Sequence, residues 1–298
     1  MSRHFLEIDD LTRDELMAVL HLAAAPAPPQ VLAGKGAALV FEKPSLRTRN
    51  STEMAVVQLG GHPVMIGAAE VGLGSRETPE DVIRTLAGYH AVVAARVFEH
   101  EKLERMAALD VVPVVNLLSD RAHPCQALAD LLTIGEHFGR LTDLTVAFVG
   151  DGDNNVTRSL AFAVALAGSA MRVASPVGYA LPDADVARAG ALGGSVERFE
   201  HPEDAVKGAD VVYTDVWASM GQEAEAGARR EAFRGFTVTT ELLERAGPQA
   251  IFLHCLPAHR GEEVSAEAIE SPRSLVWRQA ENRMHSVRGL FAWLLGAR

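Results

Sequence analysis

The sequence predicts an α/β protein made of two doubly wound parallel-sheet domains. Three observations predict it. Short apolar strands alternate with helical stretches from Gly36 to about Leu118, and a second alternation of the same kind runs from Thr145 to His254. At 298 residues the chain is also long for one core and comfortable for two domains of about 150 residues each. The expected division is 1–138 and 139–280, followed by a last helix at about 281–298.

The chain opens on a capping box, Thr12-Arg-Asp-Glu15, with Leu16, Val19, Leu20 and Ala23 behind it at helical spacing. Pro26, Pro28 and Pro29 end that amphipathic helix. Strands are expected at 37–41, 64–66, 91–95 and 111–117, with helices between them. The stretch 123–138 reads as one long helix with Ala127, Leu128, Leu131, Leu132 and Ile134 on more than one side, as in a helix lying between two cores. The second set of strands falls at 145–149, 171–174, 196–199, 211–214 and 251–254. In the final helical stretch, 281–297, Met284, Val287, Leu290, Phe291 and Leu294 share one face.

Composition narrows the class. The chain is 48% apolar and 22% charged, and no apolar run approaches the ~18 residues of a membrane span. Lys and Arg number 28 against 39 Asp and Glu, a net charge of -11, which argues against nucleic acid as the main partner. The first ten residues are too acidic and too weakly apolar for a signal peptide, and the two cysteines are Cys125 and Cys255. A cytoplasmic location is expected.

Against that acidic background one short stretch is basic. After the first strand, Pro44-Ser45-Leu46-Arg47-Thr48-Arg49 turns into a helix, placing two arginines and two hydroxyls at its N-terminus. Free backbone N–H groups, the helix dipole and fixed guanidinium charge suit a phosphate-like dianion, while the plain alternative is a solvated basic helix start.

Other candidates are weaker taken singly. Gly150-Asp-Gly152-Asp-Asn-Asn155 follows a strand, yet Asn155 holds the third glycine position of a dinucleotide fingerprint, and no acid closes the next strand. His123, before Pro124, Cys125 and Gln126, reads alone as a capping or surface histidine. Neither His123 with Cys125 nor His254 with Cys255 has the spacing of a structural zinc site, so no metal is expected. Asp215 sits at a strand's carboxyl end, where open α/β sheets place ligand groups, or is simply a loop acid. Cys255 is a nucleophile, a core thiol or a substrate-orienting group.

Taken together, these motifs resemble the aspartate/ornithine carbamoyltransferase superfamily. Pro44-Ser-Leu-Arg-Thr-Arg49 resembles its Ser-Thr-Arg-Thr-Arg signature, and His123-Pro-Cys-Gln126, Ser219-Met-Gly221 and His254-Cys-Leu-Pro257 follow in the family's order. The last two resemble the ornithine-specific branch. The resemblance implies direct transfer of the carbamoyl group from carbamoyl phosphate to the δ-amine of L-ornithine, giving L-citrulline and phosphate in an interdomain cleft. It implies no cofactor, a homotrimer or a multiple of trimers, and two interdomain helices, the last of which, at about 281–298, packs back onto the first domain.

Residue by residue, the resemblance assigns carbamoyl phosphate to Ser45, Leu46, Arg47, Thr48, Arg96, His123, Gln126, Cys255, Leu256 and Arg283. It assigns ornithine to Asn155, Asp215, Ser219 and Met220. Arg96, His123, Asp215 and Cys255 are the implied catalytic groups, with Asp215 and Cys255 positioning the amine and helping to deprotonate it. The polar stretch 222–236 resembles a closing lid. Two positions depart from the pattern. Leu46 replaces a threonine, as in enzymes acting on N-acylated ornithines, and Gly72 aligns with a glutamine that reaches into a neighbouring subunit. The rival expectations are another amine, such as N-acetyl- or N-succinylornithine or putrescine, and a non-catalytic ligand-binding paralogue.

Overall fold

Nearly continuous apolar runs such as Ala37-Ala-Leu-Val-Phe41 form strands covered on both faces, the pattern a parallel sheet requires. The computed structural model describes residues 2–218 and 225–297. The chain divides into two compact units, Met1–Leu132 with Glu281–Arg298, and Thr133–Ala280. It passes between them inside two helices, Pro124–Phe138 and Val276–Leu294. Among the described residues no helix is long and apolar enough to cross a membrane.

In the first unit, strands β1 (Gly36–Phe41), β2 (His62–Gly67), β3 (His90–Arg96) and β4 (Val114–Leu118) are parallel, in the order β2-β1-β3-β4. The order reverses between β1 and β3, so a crevice opens at their carboxyl ends. In the second unit, β5 (Thr145–Val149), β6 (Ala170–Ala174), β7 (Ser195–Phe199), β8 (Val211–Thr214) and β9 (Ile251–His254) are also parallel, in the order β7-β6-β5-β8-β9. Here the reversal lies between β5 and β8.

Local chemistry accounts for the boundaries. Thr12 accepts from the Glu15 N–H at 3.3 Å and Glu15 returns the bond to the Thr12 N–H at 2.9 Å, so the first helix, Arg13–Ala24, starts at the capping box. β4 begins at Val114 rather than 111, because Pro113 has no N–H to give a ladder and Asp110 turns with φ +51°. The last helix begins at Val276, earlier than expected, and there the Val276 side chain is buried in the second unit's core. Residues 219–224, which include the start of the stretch read as a lid, lie outside the described residues, and the helix Ala226–Ala232 follows.

One glycine is required by a close approach of backbones. A Cβ on Gly289 would stand 2.5 Å from the Val19 carbonyl oxygen and 2.6 Å from the Ala23 nitrogen, so only glycine lets the last helix pack this tightly on the first.

Candidate active site

The first unit gathers its basic residues at the reversal between β1 and β3. β1 leads into the helix Leu46–Gln58, whose cap is Ser45, with the hydroxyl accepting from the Thr48 N–H at 3.2 Å. β3 ends on Arg96, which is buried and whose Nη1 donates to Ser45 Oγ at 3.3 Å and Thr48 Oγ1 at 3.2 Å. From the last helix, Arg283 donates to Thr48 Oγ1 at 3.2 Å and, through its other nitrogen, to Gln126 Oε1. Two guanidinium groups therefore meet on one threonine hydroxyl, with the half-buried Arg47 one residue before it.

His123 belongs to the same group. Its carbonyl accepts the Gln126 N–H at 3.0 Å and so starts the helix Pro124–Phe138, with Pro124 at the first position, where a missing N–H costs nothing. Arg283 Nη1 lies 3.5 Å from His123 Nε2, which must accept there. Burial, together with the charges of Arg283, Arg96 and Arg47, holds the imidazole well below its ordinary pKa. A neutral ring results, able to donate a hydrogen bond without bringing a further positive charge. Gln126 is fixed at its other end, where Nε2 donates to Asp130 at 2.8 Å.

Leu46 is 76% exposed on the first turn, so its side chain is spent neither on the core nor on the Thr48 cluster. Cys125, beside the site in sequence, is buried and donates to the Asn116 carbonyl at 3.3 Å, and burial pushes its thiol up to about 12. Gly72 caps a short helix with φ +55°, and a Cβ there would lie 2.6 Å from Arg76 Cβ. A glutamine does not fit this backbone without moving Arg76.

The second unit carries a second constellation at its own reversal. Asp215 follows β8 and is buried, and Cys255 follows β9 and is half-buried. Cys255 Sγ donates to Asp215 Oδ1 at 2.9 Å, tying the ends of β8 and β9 together. Burial raises the Asp215 carboxyl above its ordinary value, against the opposing pull of His254 and the Cys255 hydrogen bond.

The backbone beyond Cys255 is bent. Leu256 has φ +59°, a left-handed conformation that costs a non-glycine residue about 1 kcal/mol, and its N–H donates to His254 Nδ1 at 2.9 Å. His254 Nε2 in turn lies 3.0 Å from the buried Glu263 carboxylate. Asp215, His254 and Cys255 place ligand-type atoms within 4.8 Å of one another, but both ring nitrogens of His254 are already engaged. The imidazole is not available as a metal ligand in this arrangement.

After β5 the glycine-bearing turn meets a packing demand. A Cβ on Gly152 would stand 2.6 Å from the Leu181 nitrogen and 2.8 Å from the Tyr179 carbonyl oxygen, which accepts the Gly152 N–H at 2.8 Å. Asn154 caps the next helix, its Oδ1 accepting from Val156 and Thr157 at 2.8 Å each, and Asn155 is the first helical residue. Asn155 thus stands at the carboxyl end of β5, across the reversal from Asp215 on β8. Ser219 and Met220 lie outside the described residues.

Some members of these clusters escaped the sequence reading. Asp130 was legible as the i+4 partner of Gln126 on one helix face. Glu42 carried no signal: its carboxylate accepts from the Phe98 N–H at 2.7 Å and from Lys102 Nζ at 2.8 Å, tying the ends of β1 and β3 together.

The carbamoyl-P binding domain of aspartate/ornithine carbamoyltransferases matches residues 3–136, and their Asp/Orn binding domain matches residues 142–294. An ornithine carbamoyltransferase of Acidothermus cellulolyticus is 51% identical over 100% of this chain and 98% of the relative. The anabolic ornithine carbamoyltransferase of Pyrococcus furiosus is 46% identical over 99% and 97%. The solved ornithine carbamoyltransferase of P. furiosus superposes with a TM-score of 0.94 at 44% identity, covering 100% of this chain and 98% of that one. That of Thermus thermophilus gives 0.90 at 45% identity, covering 99% of each. With both domain models matched in order across nearly its whole length, the chain belongs to the aspartate/ornithine carbamoyltransferase family.

Proposed function

We propose that the protein transfers the carbamoyl group of carbamoyl phosphate to the δ-amine of L-ornithine, giving L-citrulline and phosphate. The observation that carries the reading is the meeting of Arg96 and Arg283 on the Thr48 hydroxyl, with Ser45 bonded to Arg96, beside a neutral His123 that feels the Arg47 charge as well. A dianion and a carbonyl oxygen that gains charge are the two things such a cluster stabilises.

The first domain, 1–138 with the helix at about 281–298, binds carbamoyl phosphate. Ser45, Arg47, Thr48 and the turn's backbone, from Leu46 on, hold the phosphate. Arg96, His123 and Thr48 point hydrogen-bond donors at the carbonyl oxygen, while Gln126 Oε1, kept in place by Arg283, accepts from the carbamoyl NH₂. Leu256 and Cys255 offer further backbone contacts to the same group.

The second domain, 139–280, binds ornithine. Asp215 attracts the α-ammonium, Asn155 meets the amino acid end, and Ser219 and Met220 complete that end. The δ-nitrogen attacks as the neutral amine: its C–N bond forms as the carbon–oxygen bond to phosphate breaks, and phosphate leaves with that electron pair. Asp215, with the Cys255 thiol bonded to it, orients the amine and receives its proton. No acyl-enzyme forms.

The choice of amine tests the reading. N-acetylornithine would replace the α-ammonium by a neutral amide and leave Asp215 without its cation, and putrescine lacks both α groups. In a ureido-product assay, kcat/KM for L-ornithine should exceed that for either amine by at least ~10²-fold, the scale of an unpaired polar group in a closed site. Better turnover of N-acetyl- or N-succinylornithine would reject the assignment of Asp215.

A further inference from the structure

A buried ion pair lies at the carboxyl ends of β5 and β8. Arg229, on the helix Ala226–Ala232, is buried and donates through Nη1 to Asp151 Oδ2 at 2.6 Å and to the Trp217 carbonyl at 3.0 Å. Asp151 belongs to the turn that carries Asn155, and Trp217 lies two residues beyond Asp215. One guanidinium nitrogen therefore bridges the two sides of the reversal on which the proposed ornithine groups stand.

The bridge is reinforced on both sides. Asp151 Oδ1 accepts the Asp153 N–H at 3.0 Å, and the Asp151 carbonyl accepts the Thr157 hydroxyl at 2.7 Å, so the carboxylate is fixed to its own turn. The guanidinium also lies over the Tyr179 ring, 5.0 Å from its centroid, and Tyr179 packs on Phe233, which stacks on Trp217 at 5.7 Å. Tyr179 supplies the carbonyl that holds Gly152. Charge, ring stacking and backbone hydrogen bonds thus converge on the separation between one turn and one strand end.

We propose that Arg229, through Asp151, is a positioning residue for the amine substrate: it sets the distance between Asn155 and Asp215 and so governs ornithine binding without touching ornithine. The inference rests on the ornithine reading of that crevice. A buried charge pair is a weak source of stability compared with a well-packed apolar replacement, so its presence here calls for a different explanation, and fixing geometry supplies one. The first unit's cluster involves neither residue, which makes the effect selective for one substrate.

Steady-state kinetics on the full-length protein, varying each substrate in turn, test this. Arg229→Gln should raise KM for ornithine about 10-fold and leave KM for carbamoyl phosphate within about 2-fold, since small misplacements of binding groups carry penalties of this size. Arg229→Lys, which keeps the charge but is shorter and loses the planar group that lies over Tyr179, should fall between. Asp151→Asn should act in the same direction, and its combination with Arg229→Gln should add little, because the pair acts as a unit. Where the glutamine variant does not fold, the isosteric Asp151→Asn decides by the same split. Equal rises in both KM values, or wild-type kinetics in a folded variant, would overturn the proposal. Asp215→Asn run alongside separates the two levels: unchanged ornithine kinetics there reject the ornithine site itself, whereas a collapse there with silent Arg229 and Asp151 variants rejects this inference alone.

Discussion

Asp215→Asn is expected to raise the melting temperature while removing nearly all carbamoylation of ornithine. Asp215 is buried, and burial raises its carboxyl above the ordinary value of 3.8. In the unfolded chain the carboxyl loses its proton near 3.8, but in the folded chain it does so only at higher pH. The folded state therefore binds the extra proton in that interval, so stability falls as pH rises through it. Asparagine carries no charge to desolvate and keeps an oxygen to accept the Cys255 thiol. Removing the proposed cation partner and proton acceptor together should cost on the order of 10³-fold in kcat/KM. Thermal melts of both proteins from pH 4 to 8 provide the check: the gap should widen as pH rises, and a variant that melts lower than wild type at pH 7 would sink the argument.

Arg96→Lys is the second large effect. Arg96 sits at the end of β3 with Ser45 and Thr48 hydroxyls on one nitrogen, and the planar fork fixes the directions of its donors. Lysine keeps the charge but is a compact point donor without that fork, so the variant should fold yet lose about 10² to 10³-fold in turnover, the cost of removing a preorganised donor from the developing oxyanion. A second measurement isolates binding from chemistry. Phosphate and carbamoyl phosphate should raise the melting temperature of the wild type by mass action, and of the variant far less. Equal ligand-induced shifts, with near-normal turnover, would remove Arg96 from the donor site.

Much of this was legible because it is local. Thr12 with Glu15, Ser45 before a helix, and Pro124 after His123 are short-range signals, and each caps or opens the helix it announces. Sheet order was not legible, yet alternation alone placed Arg96, Asp215 and Cys255 at strand ends, where parallel sheets gather their ligands. Contacts made across long stretches of chain were invisible. Arg283 meets Thr48 from 235 residues away, and Arg229 meets Asp151 from 78, with no periodicity to link them. The early start of the last helix at Val276 was missed for a related reason: one buried valine ahead of Trp277-Arg-Gln sets no helical stripe until the core it packs on is known.

The two thiols differ in a way that matters for chemical labelling. With its thiol at about 12, Cys125 presents only about one thiolate in 10⁴ molecules at pH 8, sealed from solvent, so alkylating reagents have nothing to attack there. Cys255 is half-exposed and is the thiol of the two that such reagents can reach. A single covalent reporter can therefore be installed at Cys255 without mutating the other cysteine, and ornithine should slow its attachment if it binds beside Asp215 as proposed.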